Sequence, residues 1–214
     1  MDQFQAYGEL AQFLIYKVLA LAAAIFSTMV VSQEVEQKTI VYLLTRNLPR
    51  WSILLFRSLA AIFAVILVSW FACLAGGIGV MGFSALQYSG FWRDMGIMVI
   101  GALAYCSLFI FISLLINRAM AICLLFAFGW EFIIPNLPGD LFYLSIFTYL
   151  KAMAGHAPRE AASASFVEQV TGATQKVIPP GTALFVLIAF SVVILVISLL
   201  WFSRFEYSPR EDGD

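Results

Sequence analysis

The sequence predicts an all-α fold: a polytopic helical membrane protein with about five transmembrane helices, a cytoplasmic helix after the first of them, and a short extracytoplasmic helical region. Two observations predict it. First, 62% of the 214 residues are hydrophobic and only 12% are charged, against about 25% charged in a soluble domain. Second, the apolar residues gather into runs long enough to cross a bilayer, with polar links between them. One core cannot conceal that much apolar surface, so lipid has to cover it. The chain reads as a single transmembrane domain over residues 1–214.

A hydrocarbon core of about 30 Å takes roughly 17–25 apolar residues in a helix. Residues 10–31 meet that requirement with Lys17 as their only charge. Met1-Asp2-Gln3 opens the chain without a basic region, and no small-residue cleavage site follows, so this run reads as a retained span rather than a signal peptide. Residues 53–80 form a longer run with room to tilt. Residues 96–116 and 182–203 are uncharged runs of span length. Residues 119–134 are shorter, carry Glu131 and stop at Pro135, and they read as a short span. Beyond Asn136-Leu137-Pro138-Gly139-Asp140, the stretch Leu141 to Met153 has the length of a helix lying at the membrane surface. Small residues at Ala72/Gly76 and Ala75/Gly79 have the spacing that lets membrane helices approach closely.

Lys and Arg near the ends of the spans set the orientation. The link over residues 32–52 holds Lys38, Arg46 and Arg50, with Arg57 just beyond it. Arg118 lies between spans three and four, and Arg204 and Arg210 follow span five. The N-terminal tail has no basic residue and the link after span two has only Arg93. The long segment 135–181 carries both signs and weighs little. The expected topology is a multi-pass protein of the cell (inner or plasma) membrane, with its N-terminus outside and its C-terminus in the cytoplasm.

Several function classes are excluded. The net charge is -1 and no Lys/Arg block exists to neutralise phosphates, so no nucleic-acid partner is expected. Cys73, Cys106 and Cys123 lie inside apolar runs without CxxC spacing, which reads as packing rather than a disulfide framework or metal site. His156 is the only histidine, too few for a bis-histidine haem or an intramembrane metalloprotease. Gly77-Ile78-Gly79-Val80-Met81-Gly82 matches G-x-G-x-x-G but ends an apolar helix, not a strand-turn-helix unit. No nucleophile–base pair and no P-loop is present, so the chain is not expected to be an enzyme or to hold a cofactor or metal of its own.

Two charges inside the spans call for an account. Lys17 at the bilayer centre would cost about 2.5–3.5 kcal/mol. It either snorkels to the near interface or lines a polar translocation path. Glu131 either caps the interface or belongs to a substrate or proton site.

The most informative segment lies between the first two spans. Glu34 and Glu36 sit where a new helix would begin and Arg46 where it would end, both complementing a helix dipole, and Asn47 and Pro49 stop it. Ile40 to Leu44 is apolar on every side, so it needs cover from lipid, from neighbouring helices or from another protein.

The stretch Glu34 to Arg57 resembles the signature region of ABC-2 type transporter permeases. Glu34, Glu36 and Thr39 match the acidic and Thr positions, Leu43-Leu44 the Leu-rich turn, Arg50 the loop arginine, and Ile53-Leu54-Leu55 with Arg57 the start of the next span. Asn47, Lys38 and Phe56 depart from the residues usual at their positions. The resemblance implies a coupling helix that docks on a separate ATP-binding cassette subunit through Glu34, Glu36, Thr39, Leu43, Leu44, Arg46 and Arg50, with Arg57 as an interface anchor. ATP and Mg are then expected in that partner, and the permease is expected to dimerise or to pair with a second membrane subunit. Members of the family usually have six spans. The resemblance therefore implies that this chain starts at what would be the second, as a five-span variant, a truncated reading frame or a subunit completed by a partner. A non-transporting scaffold docking a cytoplasmic partner through the same loop is the alternative, and an ion-coupled carrier or channel a third.

Overall fold

The computed structural model describes residues 3–36, 50–116, 119–134, 143–155 and 178–204. All regular structure among them is helical. Helix α1 comprises Gln3–Phe13, a π-helical stretch Leu14–Val18, and Leu19–Glu36. Helix α2 is Arg50–Met81, helix α3 is Ser89–Leu115, and a 3-10 turn, Gly82–Gln87, joins them. Helix α4 comprises Ala119–Leu125, a second π-helical stretch Phe126–Trp130, and Glu131–Ile133. Helices α5, Ile146–Ala154, and α6, Pro180–Arg204, complete the described fold.

The apolar runs propagate as helices because nothing in their interiors withdraws a backbone donor. At five places where serine or threonine interrupts a run, the hydroxyl returns to the carbonyl one turn back: Thr28 to Ala24, Ser58 to Leu54, Ser107 to Leu103, Ser191 to Leu187 and Ser198 to Ile194, at 2.6–2.8 Å. Such groups cost little in an apolar medium because their own helix satisfies them. Helix α2 ends where Gly82 takes φ +62°, a backbone conformation that glycine adopts without strain.

Helix α3 is the hub. It packs against α1, α2, α4, α5 and α6, and small residues make this possible. At Gly101 a Cβ would stand 2.5 Å from a Leu19 methyl and 3.0 Å from a Leu150 methyl. Helices α2 and α6 lie outside and turn apolar side chains outward: Phe56 is 70% exposed, Phe71 68% and Phe185 73%. Large aromatic surface facing outward along whole helices is what a lipid-covered bundle shows and a water-covered one does not.

Among the described residues, three helical stretches are long and apolar enough to cross a membrane: Trp51–Gln87, Ser89–Leu115 and Pro180–Ser203. The first and fourth apolar runs appear as the shorter helices Leu19–Val30 and Ala119–Trp130. All-helical architecture and membrane-compatible helices thus agree with the sequence; the described residues give three helices of span length where the sequence predicts about five, and local boundaries differ.

Glu34 and Glu36 lie in the last described turn of α1, continuous with the first apolar run, instead of opening a separate helix. Acidic residues mark a helix start only where the helix begins, and here it runs unbroken through Met29 to Ser32, leaving no free N-terminus at the acidic pair. The surface helix expected over residues 141–153 is Ile146–Ala154. It packs on α3 and α6, burying Ile146, Phe147, Leu150 and Ala154. Of the small-residue pairs, Gly76 meets Leu10 of α1, its Cβ position 2.6 Å from a methyl, while Gly79 has nothing within 4 Å.

Candidate functional site

Two ends of the bundle carry the polar residues. At one end, Tyr7 of α1, the Gly82–Gln87 turn, the start of α3 and helix α5 come together. At the other lie the last described turn of α1 and the start of α2.

The second of these holds the expected coupling segment. Thr39, Leu43, Leu44 and Arg46 lie outside the described residues. Glu34 and Glu36 are placed on the helical backbone of α1, and Arg50 opens α2. Arg57 is half-buried, and its guanidinium donates a long hydrogen bond of 3.5 Å to the Val30 carbonyl. That contact ties α2 to α1 and brings the two borders of the segment to one end of the bundle. Arg57 therefore has an interhelical contact in addition to any contact with lipid.

Glu131 is at the opposite end, and its surroundings settle what it touches. Helix α5 has nine residues, too few to persist alone, and its first amide groups need acceptors. Ser145 is its N-cap and accepts from the Thr148 N–H at 3.3 Å. The carboxylate of Glu131 reaches across from α4. One oxygen accepts from the Ile146 N–H at 3.1 Å, the other from the Phe147 N–H at 3.2 Å and from the Ser145 hydroxyl at 2.5 Å. Tyr105 of α3 adds a further interaction with the same carboxylate. Glu131 is fully buried, and a buried carboxylate surrounded by donors at a helix N-terminus is of the sign the helix dipole favours.

The C-terminal end of α5 is matched in the opposite sense. Gly155 takes φ +61° and its N–H closes on the Lys151 carbonyl at 3.3 Å. Lys151 stands in the last turn, and the Arg93 guanidinium of α3 lies 3.6 Å from where a Gly155 Cβ would be. An acid from α4 and a base from α3 thus bracket one short helix.

Lys17 lies in the π-helical stretch of α1 and is exposed on the outside of the bundle. It is not brought together with Glu131: the one faces out and the other is enclosed. The space between α1 and α5, lined by Gln12, Ile15, Phe147, Lys151 and Ala154, amounts to about 10 Å³, at the lower limit for a single water.

A third constellation escaped the sequence reading. The Tyr7 hydroxyl donates to Asp94 Oδ2 at 3.0 Å, and both residues are fully buried. Cys73 of α2 lies beside the Tyr7 hydroxyl. Tyr88 covers the Tyr7 ring edge-on at 6.0 Å and Phe91 at a tilt at 6.2 Å. Gly77 gives Phe91 its room, since a Cβ there would stand 2.8 Å from the ring. Three helices are therefore joined at one polar point. The partners are 87 positions apart, so the only legible signal was a carboxylate next to an apolar run.

Among the described residues no group of three or more His, Cys, Asp or Glu could hold a metal ion. His156 lies outside them. Cys73, Cys106 and Cys123 are free and buried. Comparison with family models, with curated proteins and with solved structures finds no match for this chain.

Proposed function

We propose that this chain is the membrane subunit of an ATP-driven transporter of the ABC-2 permease type. The observation that carries the reading is the segment Glu34 to Arg57, with its ordered acidic pair, Thr39, Leu43-Leu44, Arg50 and Ile53-Leu54-Leu55. Support comes from the position of its borders, one closing α1 and the other opening α2 at one end of the bundle, tied by Arg57 and Val30. In this reading the protein has five spans in the cell membrane, formed by α1, α2, α3, α4 and α6. Its N-terminus is outside, and the end bearing Glu36 and Arg50 faces the cytoplasm.

The work is mechanical. A partner ATPase holds ATP and Mg, closes on binding them, and moves the 34–50 segment through polar contacts at Glu34 and Glu36. The motion passes into α1 and α2, which pack on the central α3. In this reading the path runs between two permease chains or between this chain and a second membrane subunit.

Purification of the full-length protein from its own membranes, followed by reconstitution with the proteins it retains, tests the proposal. The expected result is an associated ATPase with Walker motifs and ATP-dependent solute movement. Association without turnover would assign the chain to the scaffold class instead, and association with no ATPase at all would refute the transporter reading.

A further inference from the structure

The turn between α2 and α3 is built in a way that the transporter reading does not use. A six-residue connection in water is ordinarily polar. Here Phe83 is 81% exposed, Leu86 is also exposed, and Trp92 in the first turn of α3 is 58% exposed. The Trp92 indole N–H donates to the Leu86 carbonyl at 3.0 Å, and the ring packs edge-on against Phe91 at 5.8 Å. The indole is thus tied to the turn, with its N–H satisfied and more than half of the residue exposed. Arg93, next along the chain, is exposed too.

The surface continues an apolar one. Exposed Phe71 and Ile78 run along α2 towards the turn, and exposed Trp51 stands at the far end of the same helix. From Trp51 to Phe83 the helical rise is roughly 48 Å at ~1.5 Å per residue. With a tilt of ~20° that becomes roughly 45 Å, the thickness of a bilayer including both headgroup layers. Aromatic rings at both ends of one lipid-facing helix are the pattern by which membrane proteins seat themselves at the two interfaces.

The geometry points to the Gly82–Gln87 turn with Trp92 as a lipid-docking surface. Phe83, Leu86 and the Trp92 ring are immersed in the headgroup layer of the leaflet at this end of the bundle, and Arg93 lies at the level of the lipid phosphates. The occupant is the bilayer interface, not another protein. The inference rests on the membrane reading of the bundle, so its test carries an internal control.

The full-length protein is reconstituted in phosphatidylcholine vesicles containing phosphatidylcholine spin-labelled at the headgroup or at acyl carbon 12. One variant keeps only Trp92 and another keeps only Trp70, the remaining tryptophans being replaced by Phe. Trp70 lies near the middle of α2 and is partly exposed. Trp92 should be quenched at least threefold more strongly by the headgroup label than by the acyl label, and Trp70 the reverse. Quenching of Trp92 by aqueous iodide but by neither lipid label, with Trp70 still quenched by the acyl label, would overturn the docking surface and leave the membrane reading standing. Loss of lipid quenching at both positions would overturn both.

Should the multiple replacements fail to fold, Phe83→Cys labelled with an NBD maleimide gives the same answer in an otherwise native chain, because the three native cysteines are buried. Blue-shifted emission quenched by the headgroup label supports the surface. Emission at the aqueous wavelength without lipid quenching refutes it.

Discussion

Replacing Glu131 by Gln separates a positioning role from a role in transport chemistry. In the native protein one oxygen serves the Ile146 N–H and the other serves both the Phe147 N–H and the Ser145 hydroxyl. A Gln side chain of the same shape has one oxygen and one NH2 group. Whichever way the amide turns, a donor faces at least one backbone donor. The loss is one charge-assisted hydrogen bond, about 1.5–3 kcal/mol, together with the charge–dipole attraction at the start of α5, up to about 1 kcal/mol. The total is roughly 2–4 kcal/mol, concentrated on α5. Amide hydrogen exchange in detergent reads it directly. Protection at Ile146 and Phe147 should fall by roughly 30- to 700-fold, at about 1.4 kcal/mol per decade, while the middle of α3 changes far less. Unchanged protection at both amides would refute the capping account and return Glu131 to the candidates for a substrate or proton site.

Three further outcomes are expected. Removing the Tyr7 hydroxyl in Tyr7→Phe should destabilise the bundle by about 1.5–3 kcal/mol in denaturant unfolding, and a cycle with Asp94→Asn should show coupling; additive effects would mean the contact carries no energy. Gly101→Val forces apart Leu19 and Leu150 and should cost about 1–3 kcal/mol, whereas Gly79→Val, with open space around it, should stay within about 0.5 kcal/mol; equal effects at the two sites would contradict the hub arrangement of α3. Lys17→Met should leave unfolding unchanged or raise its midpoint, because the exposed ammonium gives way to an apolar group on a lipid-facing surface; a clear loss would mean that Lys17 has a buried role.

Three apolar runs were legible as helices of span length, because a long apolar run without a breaker has one physical solution in lipid. The same property hid where the helices begin. Helix α1 starts at Gln3 and not at Leu10 because Tyr7 and Ala11 pack inward. Helix α3 starts at Ser89 and not at Gly96 because Asp94, which reads as a loop residue, finds Tyr7 in the fold. The cap on α5 was half visible, since Ser145 and Gly155 bracket an amphipathic stretch. Its essential acceptor lies on another helix, and no local pattern announces it. The π-helical stretches at Leu14–Val18 and Phe126–Trp130 have no period of their own to detect in so few residues.

The measurement that bears most directly on the central claim is capture of the ATPase by the chain carrying Glu34→Lys and Glu36→Lys. Lysine is about as good a helix former as glutamate, and both positions lie on the helical backbone of α1, so the bundle should keep its unfolding midpoint. The account predicts that the reversed chain, at normal abundance in the membrane, retains at most a tenth of the ATPase that the native chain retains. Undiminished capture would contradict the coupling role of the segment and with it the assignment of this chain as the membrane half of an ATP-driven transporter.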